Sequence, residues 1–244
     1  MSGRARKAIE CADTIAGYTT YIDLVRPLIA GKTIISTGMQ KEVDRVWQSI
    51  EAAEKGASCA LVCSGDPGIY AMAGLVFELC RTNNISVGNG KDDLFIEVVP
   101  GVPALCAGAA LLGAPLMHDF ASISLSDLLT PWEVIEKRIF AAAMGDFVIA
   151  FYNPKSKKRN WQLDAAKKIL LDQRSPDTPV GLVTSAMRDN QSVHLCTLEN
   201  LDAGQVGMQT IVFVGNSSTF IHDGRMVTPR GYDNRYNLKR QNDD

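Results

Sequence analysis

Apolar and polar positions follow one another along this chain in blocks that predict strands and helices in turn. Short apolar runs such as 60–63 and 147–152 are typical of buried parallel strands. Longer segments such as 41–55 carry apolar side chains at helical spacing. We predict strands at 13–17, 32–36, 60–63, 94–99, 121–125, 147–152, 179–184, 192–198 and 210–215, and helices at 4–12, 23–29, 41–55, from about 69 to 79, 103–112, 132–143 and 160–171. This alternation favours an α/β fold with a parallel sheet.

The alternation starts afresh after Gly113-Ala114-Pro115, which reads as a joint between domains. We therefore predict two α/β domains, 1–115 and 116–244, with a ligand crevice between them. The most distinctive loop is Ser64–Gly68, five turn-forming residues directly after a predicted strand. Such a loop is either a simple connection or the place where main-chain N–H groups approach a ligand.

Composition excludes several classes of function. The net charge of −2 gives no basic field for nucleic acid, and no apolar run approaches the ~18 residues of a membrane span. No signal-peptide pattern follows the basic start. The six cysteines are scattered without a CxxC pair, which favours buried free thiols in a reducing cytoplasm and gives no reason to expect a metal site.

Several motifs together identify a family resemblance. SGDPGIY at 64–70 and VVPGVPA at 98–104 resemble the tetrapyrrole methyltransferases that use S-adenosylmethionine. SLSDLLTPW at 124–132, FYNP at 151–154 and VTPRGY at 227–232 resemble the ring-contracting members, which methylate C17 of precorrin-3B or cobalt-factor III in cobalamin (vitamin B12) biosynthesis. The resemblance covers residues 9–232 and implies a small-molecule tetrapyrrole substrate and a cytoplasmic homodimer; it leaves open whether the substrate carries cobalt.

The resemblance also implies which residues contact S-adenosylmethionine and its product, S-adenosylhomocysteine. They follow predicted strands, as the crevice of an open α/β sheet requires: Ser64, Gly65, Asp66, Ile69, Pro103, Ala104, Tyr152, Asn153, Ala186 and Met187. Structural alternatives exist for some of them: Asp66 as a helix N-cap, Asn153 as part of a turn, and Tyr152 as a core residue.

Ring contraction requires proton movement as well as methyl transfer, so acid–base groups are expected near the substrate. The candidates for catalysis are His118, Ser126 and Asp127. His118 is equally suited to a structural hydrogen bond at the joint, and Asp127 or Thr130 to capping the helix that starts near Pro131. His194 and His222 are less well placed.

The substrate's carboxylates call for cations at the cleft. The candidates are Lys155, Lys157, Lys158 and Arg159, with Arg188 and Arg230 as outsiders. The run 155–159 is equally read as a solvated loop.

One departure from the family pattern lies at the front, where members have a strand and a Gly-x-Gly-Pro-Gly loop that this sequence lacks. We expect low stability or impaired activity if that strand is absent from the protein. The alternative functions are another tetrapyrrole C-methyltransferase and a non-catalytic tetrapyrrole-binding protein. A dinucleotide-binding oxidoreductase is disfavoured, because no Gly-x-Gly-x-x-Gly follows a strand.

Overall fold

The chain divides into two compact units in a computed structural model that describes residues 1–156 and 159–239. The first unit is Met1–Pro103, and the second begins at Ala104. This boundary lies earlier than the joint that the sequence suggested at Gly113-Ala114-Pro115.

The first unit contains three strands and four helices. Their bounds are α1 (Gly3–Cys11), β1 (Thr14–Tyr18), α2 (Thr19–Val25), β2 (Thr33–Thr37), α3 (Glu42–Glu54), β3 (Cys59–Val62) and α4 (Ala73–Thr82), with a 3-10 turn at Arg26–Leu28. The strands form a parallel sheet in the order β2-β1-β3. Ile15 and Ala16 of the central strand are fully buried, and α3 buries Val46 and Ile50, as the helical spacing of its apolar residues predicted.

The prediction of a strand at 94–99 is wrong, because these residues do not pair as a strand of the sheet. Leu94 and Ile96 pack against the core formed by α3 and α4, while Phe95 is exposed. The alternation is therefore that of a strand, but the only pairing described there is an isolated bridge from Val87 to Leu94. A period-two pattern sets which side chains are buried, and it does not by itself supply a neighbouring strand.

The second unit has a larger sheet covered by helices. Its elements are α5 (Ala104–Leu112), β4 (Gly113–Ala114), β5 (Phe120–Ser124), α6 (Trp132–Met144), β6 (Val148–Tyr152), α7 (Gln162–Leu171), β7 (Pro179–Thr184), β8 (Ser192–Thr197), β9 (Thr210–Val214), β10 (Phe220–His222) and β11 (Arg225–Val227), with 3-10 turns at Ala203–Gln205 and Tyr232–Asn234.

The main sheet of this unit has the strand order β5-β6-β9-β7-β8. It is mixed, which corrects the expectation of a purely parallel sheet: β9 runs antiparallel to β6 and to β7, and β8 runs antiparallel to β7. The physical reason is that no helix lies between β7 and β8, so the chain returns in the opposite direction. Because β5 is parallel to β6, and β6 and β7 share an antiparallel neighbour, these three strands end at the same edge of the sheet.

Helix α5 belongs to the second unit because its apolar side chains pack on that unit's sheet. Leu105, Ala109 and Leu112 join a buried cluster with residues of β6, β7 and β9. A methyl group on Gly108 would lie 2.8 Å from the ring of Phe213, so the helix sits close against the strands. Gly113 and Ala114, predicted as a joint, instead form a parallel pair of bridges with β11.

The short strands β4, β10 and β11 were not predicted, because two or three residues are too few to show a period. Of the six free cysteines only Cys80 is buried, and Cys11 and Cys106 are exposed, so the expectation of buried thiols holds for part of the set. Among the described residues, no helix combines the length and the hydropathy that crossing a bilayer would take.

Candidate functional site

The loop after β3 is held in shape by the carboxylate of Asp66. One oxygen, Oδ1, accepts a hydrogen bond from the Gly68 N–H at 2.8 Å, which forms an Asx turn. The other, Oδ2, accepts from the Gly101 N–H at 2.9 Å, thirty-five positions along the chain. Asp66 therefore ties loop 64–68 to the turn at 100–101, within the first unit.

Close packing accompanies this hydrogen bond. A methyl group on Gly101 would overlap the Gly65 carbonyl oxygen and lie 2.9 Å from its carbon, so glycine is required at this position. Gly65 itself has φ +80°, a left-handed conformation that favours glycine. The two glycines of the family motifs thus serve one main-chain contact.

Helix α4 begins at Ala73, later than the predicted start near Ile69, and Asp66 is not its N-cap. Tyr70, with φ +50°, lies in the intervening turn and cannot continue a right-handed helix. Ile69 is about one-third exposed in this turn. Ser64 and Pro103 are half-buried, so this unit carries the predicted cofactor residues 64–66, 69 and 103 on loops.

In the second unit, the residues predicted to contact the cofactor lie at the edge where β5, β6 and β7 end. The Tyr152 hydroxyl oxygen accepts a hydrogen bond from the Leu105 N–H at 2.8 Å. It therefore satisfies one of the N–H groups that helix α5, which starts at Ala104, leaves without a partner inside the helix. Asn153 follows with φ +51°, which turns the chain away from the strand direction.

The loop after β7 bends in the same way. Ser185 and Met187 have φ values of +51° and +59°. The Ser185 hydroxyl donates to Gln209 Oε1 at 2.8 Å, and the Met187 N–H donates to Gln191 Oε1 at 2.8 Å. Ala186 packs against the buried cluster while the Met187 side chain is 63% exposed, so only Met187 presents an apolar side chain to solvent here.

Polar side chains join the ends of β5 and β6. The Asn153 Nδ2 donates to Ser124 Oγ at 3.0 Å, and the Ser126 N–H donates to the same oxygen at 3.2 Å. The Arg159 guanidinium donates through Nη1 to Ser126 Oγ at 3.2 Å and through Nη2 to the Asn153 carbonyl oxygen at 3.1 Å. The structure thus brings the predicted catalytic residue Ser126 together with a predicted cation.

Asp127 follows Ser126 directly, and its carboxylate is held by a residue that the sequence analysis missed. Its Oδ2 accepts from Gln162 Nε2 at 2.8 Å. Gln162 is buried on α7, and no motif or period singles out a glutamine there. The structural alternative, capping of α6 by Asp127 or Thr130, does not occur: Pro131 is the N-cap and there is no side-chain capping hydrogen bond.

His118 lies far from these groups. It precedes β5, whereas Ser126 and Asp127 follow that strand, and the five residues of β5 span about 17 Å. Its Nδ1 accepts a hydrogen bond from the N–H of the next residue, Asp119, at 2.8 Å. The catalytic candidates therefore form one pair, Ser126 and Asp127, and one separate residue. His194 lies on β8 and His222 on β10.

The candidate cations differ in the groups that surround their charged atoms. The Lys155 ammonium donates to the Ala203 carbonyl oxygen at 2.7 Å. Burial lowers the pKa of Arg159, and the negative charge of Asp127 opposes that shift. Lys157 and Lys158 lie outside the described residues.

A comparison with protein families matches residues 1–202 to the Tetrapyrrole (Corrin/Porphyrin) Methylases. The chain belongs to the tetrapyrrole methylase family. A tetrapyrrole methylase of Salmonella typhimurium, named a probable cobalt-factor III C(17)-methyltransferase, is 49% identical over 95% of this chain and 93% of its own length.

Two further tetrapyrrole methylases agree with this assignment. The cobalt-factor III methyltransferase of Priestia megaterium is 52% identical over 98% of this chain, which spans only 44% of that longer protein. The crystal structure of the methyltransferase CobJ superposes with a TM-score of 0.87 at 34% identity, covering 94% of this chain and 93% of the other. The predicted family and fold class are thereby confirmed.

Proposed function

We propose that this chain is an S-adenosylmethionine-dependent methyltransferase that methylates C17 of cobalt-factor III or precorrin-3B and brings about contraction of the macrocycle, in cobalamin biosynthesis. The observation that carries the proposal is the 49% identity along 93% of a protein named a probable cobalt-factor III C(17)-methyltransferase. The strings SLSDLLTPW and FYNP support it, because they supply the Ser126, Asp127 and Asn153 side chains of the polar cluster.

The residues at the strand ends suit the methyl donor. S-adenosylmethionine supplies a methyl group on a sulfonium sulfur, which is already a good leaving group, so the protein's task is mainly positioning. In the first unit, Ser64, Gly65, Asp66, Ile69 and Pro103 are the proposed contacts, and glycine at 65 leaves the main chain accessible.

In the second unit, the proposed contacts are Ala104, Tyr152, Asn153, Ala186 and Met187. Ala104 and Ala186 have small side chains, and the main chain bends at Asn153 and Met187, which favours hydrogen bonds from main-chain groups to a polar ligand. Asp66 and Tyr152 act by holding their surroundings, since both accept main-chain hydrogen bonds.

Proton movement during ring contraction is proposed for Ser126 and Asp127. They lie at the edge of the sheet with Asn153, and Asp127 is oriented by Gln162. His118 remains a separate candidate, because it lies at the other end of β5.

Calorimetric titration with S-adenosylhomocysteine tests the cofactor proposal. We expect one molecule bound per chain, with the affinity reduced about tenfold or more in Asp66→Ala, which loses both main-chain hydrogen bonds. Asp66→Asn keeps one amide oxygen as an acceptor and should lie between the two. Unchanged affinity in Asp66→Ala would remove this residue from the site.

Turnover tests the reaction. We expect one methyl transferred per macrocycle and a contracted product by mass spectrometry and absorbance, with cobalt-factor III and precorrin-3B compared as substrates. Macrocycle binding without consumption of methyl donor would identify a carrier protein instead. Methylation at another carbon would identify a different member of the family.

We also propose that the enzyme is a homodimer of the cytoplasm. Six free thiols, two of them exposed, support a reducing compartment. Light scattering after size exclusion gives the molar mass, and a value of one chain would contradict the dimer.

A further inference from the structure

We infer that Arg159 and Ser126 form a subsite that binds one peripheral carboxylate of the tetrapyrrole, with the exposed apolar side chains of Leu128 and Leu129 beside it. This inference rests on the proposed function and names how the substrate is held. It concerns the second unit alone.

The guanidinium of Arg159 is fixed in place by neutral acceptors. Its Nε and Nη2 donate to the Asn153 carbonyl oxygen at 3.3 and 3.1 Å, and its Nη1 donates to Ser126 Oγ at 3.2 Å. A guanidinium has five N–H groups, so one on each terminal nitrogen is left without an acceptor in the described part of the chain. Two N–H groups on neighbouring nitrogens match the two oxygens of a carboxylate.

The charge of Arg159 is not neutralised by an ion pair. Within residues 1–156 and 159–239, no carboxylate oxygen lies within 4.0 Å of the guanidinium. Asp127 acts on it only through space, because Gln162 Nε2 holds the Asp127 Oδ2 at 2.8 Å. Arginine keeps its charge at neutral pH, and a partly desolvated cation without a counter-ion favours binding of an anion.

The position of the pair fits the proposed reaction. Ser126 and Asn153 follow β5 and β6, at the edge where the proposed cofactor residues of this unit lie. The other described cation of this loop is already engaged, since Lys155 donates to the Ala203 carbonyl oxygen at 2.7 Å. Of the two cations of this loop that the structure describes, Arg159 is therefore the one that is available for a ligand.

Apolar side chains flank the polar cluster. Leu128 and Leu129 directly follow Asp127 and are 71% and 93% exposed, and Trp161, next to Gln162, is 46% exposed. Covering such side chains with an apolar ligand surface is favourable, because it removes their apolar area from water. A macrocycle with apolar ring faces and a rim of carboxylates complements both halves of this surface.

The test compares an acid with its ester. Binding of cobalt-factor III, and of the same macrocycle with its carboxyl groups methyl-esterified, is titrated by absorbance against the unsubstituted chain, Arg159→Gln and the control Lys168→Gln. Lys168 is an exposed cation on α7, outside the cluster. We expect Arg159→Gln to weaken binding of the acid tenfold or more and of the ester less than twofold, with any loss of S-adenosylhomocysteine affinity well below the loss for the acid. Lys168→Gln should change none of these affinities.

Every other outcome contradicts a specific part of the proposal. Equal losses for acid and ester, or a parallel loss of S-adenosylhomocysteine affinity, would make Arg159 a brace of its loop and remove the carboxylate subsite. An unaltered acid affinity in Arg159→Gln would do the same. If the unsubstituted chain binds S-adenosylhomocysteine but neither macrocycle, the proposed function fails and this subsite fails with it.

Discussion

Substituting Gly101 by alanine should disable cofactor binding by separating two segments of the first unit. The new methyl group would overlap the Gly65 carbonyl oxygen and lie 2.9 Å from its carbon and 3.2 Å from Asp66 Cα, where ordinary contact begins at 3.4 Å. All three atoms belong to the main chain, so no side-chain rotation relieves the overlap. The overlap with the carbonyl oxygen is the deepest of the three, so the two segments must separate there by more than about 1 Å.

That separation lengthens the hydrogen bond from Gly101 N–H to Asp66 Oδ2, which is 2.9 Å long. A hydrogen bond to a charged group contributes about 1.5–3 kcal/mol. If the ligand binds only the ordered loop, its apparent dissociation constant rises by up to the same factor, about 10- to 150-fold. We expect this loss in calorimetric titration of Gly101→Ala with S-adenosylhomocysteine.

The matched control is Gly74→Ala. Gly74 lies on α4, the helix that follows the same loop, and a methyl group there meets nothing within 4 Å. Gly74 is the second residue of α4, and alanine is favoured over glycine at a helical position, so this variant should bind as well as the unsubstituted chain and be no less stable. Binding by Gly101→Ala within twofold of the control would refute the reasoning. Asp66→Ala removes the same hydrogen bond without a clash, which separates loss of the bond from misfolding.

Three other outcomes are expected. His118→Ala should keep S-adenosylhomocysteine binding and lose ring contraction if the residue moves protons; normal contracted product by mass spectrometry would make it structural. Tyr152→Phe leaves the Leu105 N–H in the first turn of α5 without its acceptor, which costs about 1–3 kcal/mol of stability. The melting temperature should fall by about 2–4 °C for each kcal/mol lost. The control Tyr236→Phe, at an exposed ring, should leave the melting temperature unchanged. Burial raises the pKa of Cys63, so at pH 8 its thiolate fraction is depressed and iodoacetamide should label exposed Cys106 first; equal rates would contradict the burial.

The strands of the second unit could be predicted from the sequence because buried runs of apolar residues have few alternative structures. The predicted bounds of β7, residues 179–184, agree with the structure. The direction of the strands could not be predicted in the same way, because it depends on the connections, and the β7–β8 connection carries no helix. Predicting where the strands lie in the sequence was therefore not enough to predict their directions in the sheet.

Candidate site residues were predictable where a motif marks them, and their partners were not. The string SGDPGIY marks Asp66, yet nothing in it shows that the second carboxylate oxygen binds the Gly101 N–H. Gln162 has no mark at all, since its partner Asp127 is distant in sequence and close only in the fold. His118 was favoured for its chemistry, although it precedes β5 and Ser126 follows that strand, so the two residues lie at opposite ends of β5.

The pairing of β4 with β11 has a consequence for the order in which the chain folds. Gly113 and Ala114 bridge Met226 and Val227, and Arg225 Nη1 donates to the Leu111 carbonyl oxygen at 3.2 Å. The start of the second unit thus acquires these partners only after more than a hundred further residues have left the ribosome. Contacts of such long sequence separation form late and slow folding, while the first unit, complete by Pro103, can fold during synthesis. Nascent chains that end before Arg225 should therefore hold a protease-resistant first unit followed by a protease-sensitive second one.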